Sequence, residues 1–332
     1  MAEPERIAVI GSNSFSGASF AAHALRKGID VVGISRSTEP STALLPYRWE
    51  TSADRFEFHQ LDINHNLDEI VQLLQRERVG HIVNFAAQSM VGQSWEFPEH
   101  WFHTNAVSTV MLHNRLRQSD FVERYVHITT PEVYGSTDGF IREDAPYNPS
   151  TPYAVSRAAG DMSLKTFVDA YDFPAVSTRA ANVYGPGQPL YRIIPRMILF
   201  IRLGHKLSLH GGGHSRRSFI HIDDVSTATM RIMTDGDIGE TYHISTNEIV
   251  SIRELVERIC SKMSVDFDEH VEVVGDRLGK DAAYLLDSTK LRERLDWSDA
   301  ISLDRGLEEC IAWVDRYLDE LKTLPFDYIH KP

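Results

Sequence analysis

A doubly wound parallel α/β sheet carrying a smaller mixed α/β lobe is the fold class this sequence predicts, and three observations predict it. Short apolar runs alternate with helix-period segments from residue 6 to about residue 185. The first run ends in a glycine-flanked turn, Gly11-Ser-Asn-Ser-Phe-Ser-Gly17. Beyond Gly185 the alternation gives way to Pro186, Pro189, Pro195 and the turn-rich stretch GHKLSLHGGGHSRRSFIHIDDV. Strands joined by helical crossovers must pair in parallel and be covered on both faces.

Each element follows in order. RIAVIG (6–11) has the continuous apolar character of a buried strand, and ASFAAHALRKG is a helix stopped by Gly28. DVVGIS is the second strand, a polar loop runs through Pro46, and FEFHQLDI is the third strand. NLDEIVQLLQRE opens at Asn66 with Glu69 three residues later, the spacing of a reciprocal helix cap. HIVNFAAQS reads as a fourth strand, HTNAVSTVMLHNRLRQ as a long helix and YVHITT as a fifth strand. YAVSRAAGDMSLKTFVDAY is a second long helix, followed by the strand AVSTRAANVYG. In the second half SIRELVERICSKM is capped by Ser251 and Glu254, and LDRGLEECIAWVDRYL is the last helix. The expected division is a dinucleotide-binding domain at 1–183 plus about 219–247, and a substrate-binding lobe at 184–218 and 248–332. The lobe packs over the carboxyl edge of the sheet, where ligands bind in such folds.

Bulk properties narrow the class. The 332 residues are 42% hydrophobic and 24% charged, ordinary for a soluble globular chain, and the formal net charge of −13 argues against a nucleic-acid or anionic membrane surface. No run reaches the roughly 18 apolar residues of a membrane helix, and MAEPERIAVIGS lacks the features of a secretion signal. With Cys260 and Cys310 alone, both in helical apolar patterns, neither a disulfide scaffold nor a zinc site is expected, and a cytoplasmic location fits. His210, His214 and His221 read as polar loop groups around Gly211–Gly213, so no metal is expected.

The motifs place chemistry on this frame. A Gly11…Gly17 loop between strand and helix lets backbone approach a pyrophosphate and aims a helix N-terminus at it, so dinucleotide binding is expected around Gly11, Ser14, Phe15, Ser16 and Gly17. The tip of the second strand, Gly33-Ile34-Ser35-Arg36, carries no carboxylate for a free ribose hydroxyl. A serine beside an arginine suits a ribose phosphate, which favours NADP, with NAD the alternative. Asp62 with Ile63 closes the third strand, where the carboxylate would accept from an adenine amino group or simply cap the strand. Thr130 and Glu132 in TTPEVYG end the fifth strand with a hydroxyl and a carboxylate, a candidate base for a carbon acid, although Thr-Pro-Glu is also an ordinary helix start. In TPYAVSR, Tyr153 and Arg157 stand at i and i+4 of a helix, so the cation biases the phenol toward phenolate. That state takes a proton from an alcohol as hydride leaves the same carbon. Asn182 and the arginines of YRIIPRM and HSRRSF suit a nucleoside diphosphate.

Together, GSNSFSG, FAAQS, TTPEVYG, YAVSR, NVYGPG, RSFIHIDDV and LLDSTKLRERLDW resemble the nucleotide-sugar branch of the extended short-chain dehydrogenase/reductases, over essentially the whole chain. FAAQSMVGQSWEFPEHW and the arginine-bearing second strand look most like GDP-mannose 4,6-dehydratases, while YGPGQPLYRIIPRMI and DRLGKDAAYLLD look closer to dTDP-glucose 4,6-dehydratases. The resemblance implies a Rossmann sheet and conversion of a nucleoside-diphosphate hexose to the 4-keto-6-deoxyhexose. Tyr153 would take the O4 proton, Thr130 would hold O4, and Glu132 would remove the C5 proton. Arg157, at the position relatives fill with lysine, would bind the nicotinamide ribose and lower the Tyr153 pKa. Phe85, Ala86, Ala87 and Gln88 would line the cofactor and Ser89 the substrate, with Asn182, Arg217 and Arg277 on the diphosphate or nucleotide. A homodimer through a four-helix bundle containing Asn105 and Tyr153 is also implied.

Three departures stand out. Pro131 replaces the aspartate or serine of the relatives and donates no proton, so Glu132 would serve both the C5 proton and the C6 hydroxyl. Arg157 keeps the lysine's charge in a bulkier group, and Ser14 replaces a loop glycine. Sister activities share the frame: a C4 epimerase, a hexuronic acid decarboxylase, a C4 dehydrogenase, or a cofactor-binding protein without catalysis. Glu132 favours dehydration over epimerisation, because an epimerase removes no C5 proton.

Overall fold

The structure is a computed structural model that describes residues 3–137, 139–275 and 285–332. β1 (Arg6–Ile10), α1 (Phe15–Arg26), β2 (Asp30–Ser35), β3 (Phe56–Gln60), α2 (Leu67–Arg76) and β4 (His81–Asn84) open the chain. Next, α3 (Pro98–Phe102), a π-helical turn (His103–Ser108) and α4 (Thr109–Leu116) run end to end. They lead to β5 (Arg124–Ile128), β6 (Phe140–Ile141), α5 (Pro152–Tyr171) and β7 (Ala175–Ala180). The described residues build a seven-stranded sheet whose final strand, β11 (Thr241–Ile244), comes from much later in the chain; the order is β11-β7-β5-β4-β1-β2-β3, all parallel. From β1 the chain winds outward through β2 and β3, then returns to place β4 on the other side of β1. The loops leaving β1 and β4 therefore flank a crevice at the switch point of the sheet.

The core explains the strand sequences. Ile7, Val9 and Phe20 pack on one face of the sheet, and Ile10, Ile70, Leu112 and Leu164 on the other, so β1 is continuously apolar from Ile7 to Ile10 rather than at alternate positions. Each such side chain contributes about 1.5–3 kcal/mol of burial.

Between β7 and β11 lie β8 (Asn182–Tyr184), α6 (Ile193–Leu203), β9 (Leu207–His210), β10 (Arg216–His221) and α7 (Ile222–Asp235). After β11 come β12 (Ile249–Ser251), α8 (Ile252–Lys262), α9 (Phe267–His270), β13 (Val271–Val274), β14 (Leu285–Leu286), α10 (Thr289–Leu295), α11 (Leu303–Arg316) and α12 (Leu318–Leu321). β10 is central to a small sheet, pairing in parallel with β8 and antiparallel with β12. A separate core of Met197, Ile198, Leu255, Ile259, Leu307 and Trp313 supports it. Trp313 Nε1 donates to the Ala43 carbonyl at 2.9 Å and ties this lobe to the β2–β3 connection. The Ser251–Glu254 cap forms reciprocally, as its spacing requires.

Several local expectations are corrected. Asn66 caps no helix amide; its Oδ1 accepts from Asp62 N at 3.1 Å and its Nδ2 donates to Glu69, so the side chain braces the preceding turn. The third and fourth strands stop at Gln60 and Asn84, short of Asp62 and Ser89. The run AVSTRAANVYG breaks at Ala181, because β7 pairs within the large sheet while β8 pairs with β10. The last long helix ends at Arg316, and α12 follows after Tyr317.

Candidate active site

Beginning at the crevice, Gly11 has φ +86°, and a Cβ added there would lie 2.7 Å from Ala86 N. At Gly17 it would lie 2.2 Å from the Gly11 carbonyl. The turn is thus folded onto the β4 exit with room for hydrogen alone at both positions. Ser14 sits in extended backbone (φ −75°), which requires no glycine. Its Oγ accepts from Gly17 N at 3.1 Å and donates to the Gly11 carbonyl at 2.7 Å. Serine in this loop is therefore the N-cap of α1, a role glycine fills without a side chain.

A cleft of about 880 Å³ runs from this turn across the sheet edge into the small lobe. Ser14, Phe15, Ser16, Arg36, Phe85, Ala87, Ser89, Thr130, Glu132, Tyr153, Arg157, Asn182 and Arg217 all line it. Gly11, Gly17, Ser35, Asp62, Ile63, Ala86 and Gln88 stand behind the lining. Ser35 Oγ accepts from Asn13 N at 2.9 Å, Asp62 Oδ1 accepts from Asn64 N at 2.8 Å, and Ile63 is buried in the core. Arg277 lies outside the described residues.

The end of the cleft that holds the candidate catalytic residues is assembled from β5 and α5. Thr130 is extended and buried; its Oγ1 accepts from Glu132 N at 3.3 Å, with Pro131 following, so the ordinary turn-start reading of Thr-Pro-Glu is also correct. Thr151 caps α5 by accepting from Ala154 N, and Pro152 starts the helix, which sets Tyr153 in its first turn. The Thr130 side chain interacts with the Tyr153 hydroxyl and pulls its pKa down. Arg157, one turn on, is buried; its Nη2 donates to the Ile128 carbonyl, and its Nε has no hydrogen-bond partner among the described residues.

Electrostatics corrects one expectation. Burial raises the Tyr153 phenol above its ordinary value; the Arg157 guanidinium and the Thr130 hydrogen bond pull it down, and Glu132 opposes them. Burial wins, so the net shift is upward. The cleft as a whole is cationic: Arg36, Arg157, Arg192, Arg217 and Lys331 line it, against Glu132 as the one carboxylate among the described lining residues. A chain of net charge −13 thus concentrates positive charge where ligands enter.

Some contributors carry no local sequence signal. Asn105, in the π-helical turn, accepts from Gln88 N at 2.8 Å and donates to the Gln88 carbonyl (2.9 Å) and Ser156 Oγ (3.0 Å); Ser156 Oγ in turn donates to the Tyr153 carbonyl at 2.7 Å. One amide therefore locks the β4 exit to the first turn of α5, at a helix irregularity typical of functional sites. Gly160 permits this approach, since a Cβ there would lie 2.8 Å from the Asn105 carbonyl. On the substrate side, Asn182 pairs in register with Phe219, and Arg217 lies two residues along the same strand, so both face the cleft. Tyr191 and Arg192 at the start of α6 and Tyr328 from the last residues complete the wall.

The glycine cradle, the unpaired Arg157 Nε and the concentration of cations fit a nicotinamide dinucleotide in the crevice and a diphosphate beside it. Comparisons agree with this geometry. The family model described as GDP-mannose 4,6 dehydratase matches residues 9–310. A dTDP-glucose 4,6-dehydratase of Mycolicibacterium smegmatis is 32% identical over 324 residues, covering 93% of this chain and 92% of that protein. The crystal structure of a dTDP-glucose 4,6-dehydratase from Bacillus anthracis in complex with NAD superposes with a TM-score of 0.86 at 27% identity, covering 96% of this chain and 99% of that one. A Streptomyces venezuelae dTDP-glucose 4,6-dehydratase with NAD bound gives 0.85 at 30% identity, covering 94% and 97%.

Proposed function

Because this chain belongs to the GDP-mannose 4,6-dehydratase family, we propose that it converts a nucleoside-diphosphate hexose into the corresponding 4-keto-6-deoxyhexose. It is a nicotinamide-dinucleotide-dependent lyase of the extended short-chain dehydrogenase/reductase type. The single observation that carries the reading is the meeting of Thr130, Glu132 and Tyr153 on one wall of the cleft.

The dinucleotide supplies the acceptor of the C4 hydride and its donor to C6. Thr130 holds the sugar O4 and Tyr153 takes the O4 proton, the Arg157 charge favouring the phenolate. The resulting 4-keto group acidifies C5, and Glu132 removes that proton. Pro131 is buried and offers no donor, so Glu132 passes a proton to the C6 hydroxyl and water leaves from the same face. Asn182 and Arg217, with Arg277 expected beside them, hold the diphosphate and nucleotide. Arg36, next to Ser35 at a strand tip without a carboxylate, favours NADP over NAD.

Several further features belong to the same proposal. The two-lobe division assigns 1–183 and about 219–247 to the dinucleotide, and 184–218 with 248–332 to the substrate. In its support, β11 rejoins the large sheet while β12 joins β8 and β10. A homodimer through the π-helical turn with α4, and through α5, is supported by exposed apolar side chains: Val107 in that turn, Met111 on α4, and Val155 and Met162 on α5. Among the described residues no helix is long and apolar enough to cross a membrane, and Cys260 and Cys310 are free and buried; a cytoplasmic location is proposed.

Mass spectrometry of purified protein incubated with a panel of nucleoside-diphosphate hexoses and hexuronic acids tests the reading. A product lighter by one water, without net reduction of cofactor, is expected and identifies the nucleotide. Loss of carbon dioxide, or reduced cofactor accumulating over an intact sugar skeleton, would reassign the chain to a sister activity.

A further inference from the structure

The last residues fold back across the dinucleotide crevice. After α12 the chain passes Arg196, which donates to the Asp327 carboxylate at 2.6 Å. His330 then stacks on Phe97, His100 and Trp101, with a ring nitrogen 2.8 Å from His100 Nδ1. The Lys331 carbonyl accepts from two sides at once: from Gln88 Nε2 at 2.7 Å, at the β4 exit, and from Arg36 Nη2 at 3.1 Å, at the β2 tip. Arg36 Nη1 also reaches a terminal oxygen of Pro332. One peptide thus bridges the β4 exit and the β2 tip, the two neighbours of β1, and the bridge fixes where the Lys331 side chain goes. Its ammonium stands 3.5 Å from Ser37 Oγ, beside Arg36, and lines the cleft.

We propose that Lys331, carried there by this strap, is a second determinant of dinucleotide choice, forming with Arg36 and Ser37 a clamp for the 2′-phosphate of the adenosine ribose. The inference rests on the NADP reading above and extends it to a residue 294 positions away in sequence from Ser37. The sequence from Gly33 to Ser37 contains no carboxylate, and the nearest acid along the chain, Glu39, is committed to the Tyr47 hydroxyl and Arg48. Two cations and a hydroxyl are thus brought together at the end of a strand where a ribose binds in such folds. A phosphate dianion meets both cations, taking over from the Pro332 oxygen on Arg36, whereas the free diol of NAD offers hydroxyls only. Arg36 spends one N–H on the Lys331 carbonyl and one on a terminal oxygen of Pro332, which orients its guanidinium and leaves further donors for the phosphate.

The test is direct binding, by titration calorimetry or by fluorescence of the reduced cofactors, of NADPH and NADH to the wild type and to Arg36→Ala, Lys331→Ala and Lys331→Glu. Lys331→Ala should weaken NADPH about tenfold and leave NADH unchanged, as expected for losing one charge-assisted contact to phosphate. Lys331→Glu should weaken NADPH further, and both effects should shrink as salt is raised. Unchanged NADH binding shows that the variants are folded. If Arg36→Ala erases a preference for NADPH while the Lys331 variants leave the preference intact, or weaken both cofactors equally, the clamp is wrong and the NADP reading stands. If the wild type binds NADH at least as tightly as NADPH and Arg36→Ala changes neither, both fall.

Discussion

Tyr153, Arg157 and Asp161 follow one another at four-residue intervals along one face of α5, and all three are buried, yet the two ends of that face meet opposite surroundings. At the rear, Asp161 Oδ2 accepts from Arg179 Nη2 (2.9 Å), Thr129 Oγ1 (2.9 Å) and the Tyr147 hydroxyl (3.3 Å), and His127 Nε2 lies 3.3 Å from Oδ1. Burial alone would raise the Asp161 carboxyl; His127, Arg179 and Arg157 together hold it well below the ordinary carboxylate range. At the front, the phenol is raised and cations outnumber the single carboxylate. A buried charge is tolerated only when paired. The fold supplies that pairing at the rear, and at the front it gathers more cations than carboxylates along the cleft, as suits an anionic ligand.

Substitutions at the two ends should therefore fail in different ways. The largest effect is expected at the front. Tyr153→Phe should lower turnover by roughly a thousandfold or more, since it removes the group proposed to take the O4 proton, with dinucleotide affinity and thermal stability unchanged. Retained turnover would move the proton transfer elsewhere. Asp161→Asn should fail through the fold instead, leaving Arg179 buried beside a neutral amide at a cost of about 3–5 kcal/mol in urea unfolding. The pH dependence follows the same logic. A carboxyl whose folded pKa is depressed adds stability that is present above its unfolded value, about 4, and is lost as pH falls below it toward the folded value. The wild type should lose stability over that acid range, and Asp161→Asn should flatten the loss. Equal acid slopes in the two proteins would show that the rear cluster contributes nothing.

Glu132→Gln sharpens the comparison within the front itself. The amide preserves shape and removes the proposed base, so overall dehydration should fall roughly a hundredfold. C4 oxidation should survive, giving reduced cofactor and a 4-keto hexose in a single turnover. Deuterium exchange from solvent at C5 is the discriminating signal; exchange at the wild-type rate would require another base.

What the sequence revealed divides along the same line. Thr130, Glu132, Tyr153 and Arg157 were legible because each sits at a strand end or a helix start whose punctuation is local: Thr-Pro at one turn, Thr-Pro-Tyr at the next. The glycine turn after β1 was legible for the same reason. The Asp161–Arg179 pair, the Asn105 lock and the Lys331 strap were not, because each joins segments whose proximity is created by the sheet order and leaves no trace in a window of residues. The break at Ala181 escaped for a related reason: β7 and β8 are both good strands, and only their different partners separate them. The direction of the Tyr153 shift was misread because i,i+4 spacing announces the cation but says nothing of burial, which proves the larger influence.

Arg157 is the smallest expected effect and the sharpest probe of the boundary between the two ends, since its charge acts on Tyr153 in front and Asp161 behind. Arg157→Lys keeps the charge and gives up the guanidinium contact with the Ile128 carbonyl, so activity should stay within about tenfold of wild type. Arg157→Met removes the charge. On the proposed role turnover depends on the phenolate, so the rate should rise with pH up to the Tyr153 pKa, and losing a cation that pulls this pKa down should move the limb to higher pH. The pH–rate profiles of the two variants separate the possibilities: an unmoved limb in Arg157→Lys with an upward shift in Arg157→Met makes charge the operative property. A dead Arg157→Lys with normal folding would show instead that the planar fork and its Ile128 contact are required, and that the front is built on shape as strictly as the rear is built on pairing.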